Sequence, residues 1–325
     1  MPSVCKAQFK LIVSQHNVRK LNLHAIFPNF TDLFSHQETM SEIIIRIGGV
    51  PEHFNLPIHL SIESGAFQKH GINVQWTDYP GGSGDMTAAL RNNEMDLCVL
   101  LTEGIVADMI KGNPSKIISE YVVTPLTWGI HTGMSNQLNN ANNIFDKQHA
   151  ISRFGSGSHL MAMVNANTRG QALSEEQFTV VSNLDGALQS LNELESDVFY
   201  WEKFTTKPFV DAGKLRRIGE YVSPWPCFVI AATNSILEKY PQEIEALLDV
   251  INESCRNFMV DNMVIPMIAE RYQQRIEDIE RWYHNTEWAA NSWVSDKMLK
   301  SVVFHLKAAN IIDKDEPIPE FIWKK

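Results

Sequence analysis

From Ile43 onward, short apolar runs alternate with stretches of helical period. Residues 43–49, IIIRIGG, form a β-branched run ending in glycines, followed by the loop PEHFNL. Residues 57–69 place Ile58, Ile62 and Ala66 on one helical face, with Pro57 at its start and Gly71 beyond its end. Residues 72–80 alternate as a strand, 85–91 read as a helix, 96–101 as a buried strand and 105–111 as a helix. The long β-rich segment IISEYVVTPLTWGIHTG then predicts a strand that crosses from one lobe into a second. The second lobe repeats the alternation: a strand at Ile151, a glycine loop, helix 161–167, strand 178–181, helix 184–193 and strand 197–200. Residues 221–232, interrupted by Pro224 and Pro226, are expected to cross back. Helical patterns follow from Ser235, notably at 242–259 and 264–285, and 315–325 read as a tail on the surface. Such alternation predicts parallel sheet covered by helices on both faces, with ligands outside the carboxyl ends of the strands.

Two segments stand out within this pattern. PGGSGDMTAALRNNEMDLCVLLTEG, residues 80–104, runs from a glycine-rich turn into a helix and a buried strand. ISRFGSGSHLMAMV, residues 151–164, repeats the device with Gly155, Ser156, Gly157 and Ser158. Glycines admit close backbone approach, and the first turn of a helix leaves N–H groups unpaired at the positive end of its dipole. A carboxylate, sulfonate, phosphate or polarised ring carbonyl would suit those donors. Either turn alone is a common connector; two in corresponding places predict lobes facing each other across a cleft. Neither ends in the Lys and Ser/Thr of a nucleotide-phosphate loop, and no GxGxxG precedes a suitably spaced acidic residue.

Charge and cysteine narrow the field. With 28 basic against 38 acidic side chains the net charge is −10, which argues against nucleic acid or an anionic membrane surface as partner. No apolar run approaches the ~18 residues of a membrane span, so no membrane insertion is expected. Cys5, Cys98, Cys227 and Cys255 lack CxxC spacing and read as reduced, structural thiols. Residues 1–37 carry Lys6, Lys10, Arg19 and Lys20, no acidic residue before Asp32, and apolar stretches too short for a secretory signal. The expectation is a disordered extension over 1–39 and a cytoplasmic protein, with an organelle-targeting presequence as the alternative.

The order IRIGGV, SGAFQKHGINVQW, GGSGDMTAALRNNEMDLCVLLTEG and GSGSH, spread over residues 43–258, resembles the substrate-binding proteins of the type II periplasmic fold. Within that fold it is most similar to the group that binds sulfonates and thiamine-pyrimidine precursors. Asp96 keeps the family's aspartate, whereas Cys98 stands where glycine is frequent. The resemblance implies an α/β, two-lobed protein, each lobe a mostly parallel sheet flanked by helices, joined by two crossover strands. Lobe 1 would comprise 40–126 and 227–325 with the C-terminal helices, and lobe 2 residues 127–226. It implies a small-molecule ligand bound by hinge closure, and a role either in an ABC-type uptake system, with a membrane transporter as partner, or as a cytoplasmic ligand sensor with a regulatory partner. Thiamine-pyrimidine synthases share the fold and supply the enzyme alternative, but they use a lysine-bound cofactor and a cysteine cluster. This chain has no such cluster, and Lys69 and Lys111 fall on helical stretches away from the expected cleft. No cofactor or metal is expected.

The residues after each strand's carboxyl end form the candidate ligand site. They are His53, Phe54 and Asn55, with Glu52 beside them; Tyr79, Gly82, Ser83 and Gly84; Thr102 and Glu103; Ser156, Gly157, Ser158 and His159; and Trp201 and Glu202. Trp225 joins them from the second crossover, where Trp128 lies on the first. Aromatic walls with a few polar groups describe a small-molecule pocket. For Trp201 and Trp225 ordinary packing is the competing assignment, and for Trp76, Trp282, Trp288 and Trp293 packing is the expectation. His53 and His159 sit in loops, and a helix start disfavours protonation of His159. Glu52, Glu103 and Glu202 could accept a ligand N–H, line a solvated rim, or act as acid and base. No GxSxG elbow and no metal spacing such as HExxH is present.

Overall fold

Isoleucine spacing builds the first strand: Ile45 and Ile47 are buried while Ile44 between them is 52% exposed. The structure, a computed structural model, describes residues 42–324; the expectations for Cys5 and for the extension over 1–39 lie outside the described residues. In chain order the elements are β1 (Ile43–Gly49), α1 (Leu56–Glu63), β2 (Ile72–Asp78), α2 (Ser83–Arg91), β3 (Leu97–Leu101), α3 (Thr102–Ile110) and β4 (Ser115–Thr132). There follow β5 (His149–Ile151), α4 (Gly157–Thr168), β6 (Phe178–Val180), α5 (Leu184–Asn192), β7 (Val198–Glu202), α6 (Lys207–Asp211) and β8 (Arg216–Thr233). The chain ends in helices α7 (Asn234–Lys239), α8 (Pro241–Val260), α9 (Val264–Arg271), α10 (Ile276–His284) and α11 (Asp296–Ala308).

The strands form one sheet in the order β2-β1-β3-β8-β4-β7-β5-β6. Parallel triplets, β2-β1-β3 and β7-β5-β6, occupy its two ends. The long strands β4 and β8, antiparallel to each other, join them. An aspartate pins each triplet in the same way. Asp96, just before β3, accepts the Arg46 backbone N–H at 2.8 Å and holds the Arg46 guanidinium at 2.6 Å. Asp197, just before β7, accepts the Gln148 N–H at 3.1 Å. Charge-assisted acceptance of a backbone donor fixes where the neighbouring strand starts.

Three differences from the sequence pattern have local causes. Pro224 and Pro226 do not interrupt β8; the strand runs through them, and the irregularity appears as shifts in its register with β4, where Pro125 lies opposite Pro226. The helical pattern at 264–285 breaks between α9 and α10, where Gln273 takes a positive φ of 51°. The C-terminal tail does more than lie on the surface: Phe321 is buried, its carbonyl accepts the Ile117 N–H at 2.8 Å, and the Trp323 N–H returns to the Ile117 carbonyl at 3.0 Å.

α8 buries Ile244, Leu247, Leu248, Ile251, Cys255 and Phe258, one stripe of helical period, and packs on α1. α11 packs against α3, α4 and β8, so it touches helices from both ends of the sheet. Trp282 and Trp288 are buried, as expected, but Trp293 is 63% exposed and Trp76 only half-buried, its indole bound to Asp78. Cys98, Cys227 and Cys255 are free and buried. Among the described residues no helix is long and apolar enough to cross a membrane.

Candidate functional site

The two glycine-serine turns meet. Gly82 and Gly155 both hold positive φ, 76° and 81°, where a side chain would be strained, and each is followed by a serine at a helix start. The Ser83 hydroxyl accepts the Leu101 N–H at 3.0 Å, tying α2 to the end of β3. In the other turn Ser156 caps α4 through the His159 N–H, and the Ser158 hydroxyl accepts the Ser152 N–H at 3.0 Å. Gly157 has to be glycine: a Cβ there would collide with the Leu101 side chain and stand 2.9 Å from the Trp128 ring.

Between the turns lies a small cavity of ≈ 40 Å³. Gly81, Gly82 and Ser83 line it from one side, Ser152, Ser156, Gly157 and Ser158 from the other. Val50, Leu101, Leu126, Phe228, Trp128 and Trp201 supply apolar wall, and Glu52 and Glu202 supply carboxyl groups. Outside it, a groove of ≈ 640 Å³ runs past Gly84, Arg91, Lys111, Arg153, Gly155 and His159. Arg153 stands between the two spaces, donating to the Gly81 carbonyl at 2.8 Å and pairing with Asp85 at 2.9 Å. A second bond across the cleft joins the Trp201 indole N–H to Glu52 Oε1 at 3.2 Å.

The carboxyl groups are unusually placed. Burial pushes Glu52 up to about 8, and the charge of Glu202 adds to the effect. Burial also raises Glu202, but the Phe204 and Thr205 backbone N–H groups and Arg217 oppose it. Burial thus raises both carboxyl groups, and only Glu202 has backbone N–H groups and an arginine working against the rise.

Of the residues singled out by position, Gly82, Ser83, Ser156, Gly157, Ser158, Trp201 and Glu202 line the cavity. Gly84 and His159 line the outer groove instead, joined there by Lys111. His159 Nδ1 accepts the Gly155 N–H at 3.1 Å, and burial, aided by the Lys111 charge, holds the imidazole down at about 4. His53 turns away into an aromatic cluster, 4.1 Å from Trp282, and burial lowers it to about 3. Phe54 packs on Phe228 at 5.0 Å, and the Asn55 amide donates to the Val50 carbonyl at 2.8 Å, closing the loop that presents Glu52. Tyr79 stands over Gly48, where a Cβ would meet its ring. The Thr102 hydroxyl donates to the Pro226 carbonyl at 2.7 Å. Trp225 donates to Glu103 at 2.8 Å, and burial raises that carboxyl to about 7.

Position at a strand's carboxyl end thus selects neighbourhoods but not side-chain direction. Glu52 was within reach of that argument. Leu126, Trp128 and Phe228 lie on the crossover strands, and only their register places them here. Among the described residues no group of His, Cys, Asp and Glu has the arrangement of a metal site.

Comparison with known proteins gives a consistent picture. Residues 128–221 match the model of the family described as Ca3427-like PBP. The structure is similar to that of the Candida albicans CA3427 gene product, described as defining a new family with the generic periplasmic binding protein fold. The two are 27% identical, with 84% of this chain and 92% of that chain covered and a TM-score of 0.79. It is also similar to the alkanesulfonate-binding protein SsuA of Xanthomonas axonopodis pv. citri bound to MOPS, at 13% identity over 86% of this chain and 98% of that one, TM-score 0.70. The periplasmic nitrate-binding protein NrtA of Synechocystis matches at 14% identity over 84% and 83%, TM-score 0.59. No curated protein sequence matches the chain.

Proposed function

We propose that this chain, a two-lobed protein of the type II periplasmic-binding-protein fold, holds a small molecule between its lobes and releases it unchanged. In this proposal lobe 1 comprises residues 40–126 and 227–325, lobe 2 comprises 127–226, and the two turn about β4 and β8. One observation carries the reading: the two glycine-serine turns converge on a small, mainly apolar cavity that also holds the Glu52 and Glu202 carboxyl groups, and its walls come from both ends of the sheet. The ligand's polar head meets Gly82, Ser83, Ser156 and Ser158, and its flat part lies on Trp201 and Trp128. Tyr79 and Trp225, facing elsewhere, have no part in it. Of the anionic and heteroaromatic ligands that the turns alone would suit, the carboxyl pair favours the heteroaromatic. Closure would report the bound state to a partner, either a membrane transporter of an ABC-type system or a cytoplasmic regulatory protein.

The buried carboxyl groups of Glu52 and Glu202, both raised by burial, favour a second reading as acid and base of an enzyme. Thermal shift of the purified chain against pyrimidines, sulfonates, keto acids and small amides separates the two. A ligand at a hundredfold its Kd stabilises by about 2.7 kcal/mol, several degrees for a chain of this size. A compound recovered intact by mass spectrometry supports the binding protein; one consumed with turnover supports the enzyme, and absence of any shift counts against both.

A further inference from the structure

The polar groups of the cavity are of opposite kinds, and each lacks something that a ligand can supply. Trp128, 3% exposed, lines the cavity, yet its indole N–H has no acceptor. An indole can only donate, and buried donors are almost always paired. Across the β4–β7 ladder Trp128 is the register partner of Glu202, so the two side chains rise from the same face of the sheet. Glu202 accepts the Thr205 N–H at 2.6 Å, and the Thr205 side chain faces both carboxyl groups. Glu52 Oε1 accepts the Trp201 indole N–H at 3.2 Å. Arg217 faces Glu202 and Tyr272 faces Glu52.

We infer that the cleft selects a small uncharged molecule of the amide or urea class, cyclic amides included, whose N–H groups donate to Glu52 and Glu202 and whose acceptor atom takes the Trp128 indole proton. The inference rests on the cleft being a binding site. It adds that oxoanions of the kind named for the structural neighbours are rejected: an anion in so small a space faces two buried carboxyl groups, either of which repels it when ionised, and could enter only by bringing a proton with it. An amide leaves the charge where it is. The walls agree, since Trp128, Trp201 and Phe228 offer flat apolar surface on either side of these groups.

Calorimetric titration of the full chain in two buffers of different ionisation heat tests this, with acetamide, urea and hydantoin set against methanesulfonate, nitrate and acetate. The expected result is binding of the amides without proton uptake, a loss of about tenfold or more in Trp128→Phe, and a gain of anion binding in Glu202→Gln. Because the last effect is a gain, it stands even if Trp128→Phe folds poorly. Tighter binding of an anion to the unaltered protein, with proton uptake, overturns the ligand class and leaves the binding cleft in place. Failure of both classes to bind overturns the cleft as well.

Discussion

Glu52 shows how burial, reinforced by a neighbouring carboxyl group, makes a carboxyl behave unlike its type. Its ordinary value of 4.5 rises to about 8 in the fold. A raised value means that its stabilising contribution is complete below about 4.5 and is lost as the pH climbs through about 8. The buried histidines, His53 and His159, act in the opposite sense at lower pH, so the useful quantity is a difference. Glu52→Gln should match the unaltered protein near pH 5 and exceed it by on the order of a few kcal/mol near pH 9, read as several degrees in Tm. Parallel melting curves for the two proteins across that range would remove Glu52 from the buried pair. Gly157 poses a steric question. Gly157→Ala forces a methyl between Leu101 and Trp128, costing the closed state about 1–3 kcal/mol. Affinity for a cleft ligand should fall roughly tenfold or more, and the unfolding free energy in urea should fall by about the same 1–3 kcal/mol; unchanged values of both would mean that Leu101 gives way.

The two crossover strands are where stiffness is decided. Pro125 faces Pro226, and neither can donate to the ladder, so the β4–β8 pairing loses bonds just where the chain passes between the ends of the sheet. One side chain repairs part of the loss: the Ser223 hydroxyl accepts the buried Leu126 N–H at 3.0 Å and donates to the Trp225 carbonyl at 3.2 Å. Ser223→Ala leaves that N–H without an acceptor and should lower the unfolding free energy by about 1–3 kcal/mol in urea titrations. An unchanged midpoint would mean that the strands re-register around the gap.

At the scale of the whole molecule, polar side-chain bonds link the two sides of the cavity. Arg153 makes those on the groove side, reaching Gly81 and Asp85. Its ion pair is partly exposed and worth little in itself, at most about 1 kcal/mol. Its position matters more than its energy, because it separates the cavity from the groove. Arg153→Ala should therefore speed ligand release several-fold in stopped-flow traces and leave the association rate within about a factor of two. A slowed association with unchanged release would place Arg153 on the entry path instead.

Much of this was legible in the chain. Alternating β-branched runs and helical periods define the strands and helices, glycine followed by serine marks both turns, and the spacing of the two turns reveals paired lobes, because each of these depends on local backbone preference and on which face is apolar. Tertiary structure alone decided the rest. His53 and Tyr79 sit at the expected strand ends, and Trp225 on the expected crossover, but all three point away, since side-chain direction there follows packing against Trp282, Gly48 and Glu103. Trp128 and Leu126 enter the site through the register of strands distant in sequence. The raised carboxyl groups of Glu52 and Glu202 required both to be buried in one cavity, and no property of either residue's neighbours in the chain encodes that meeting.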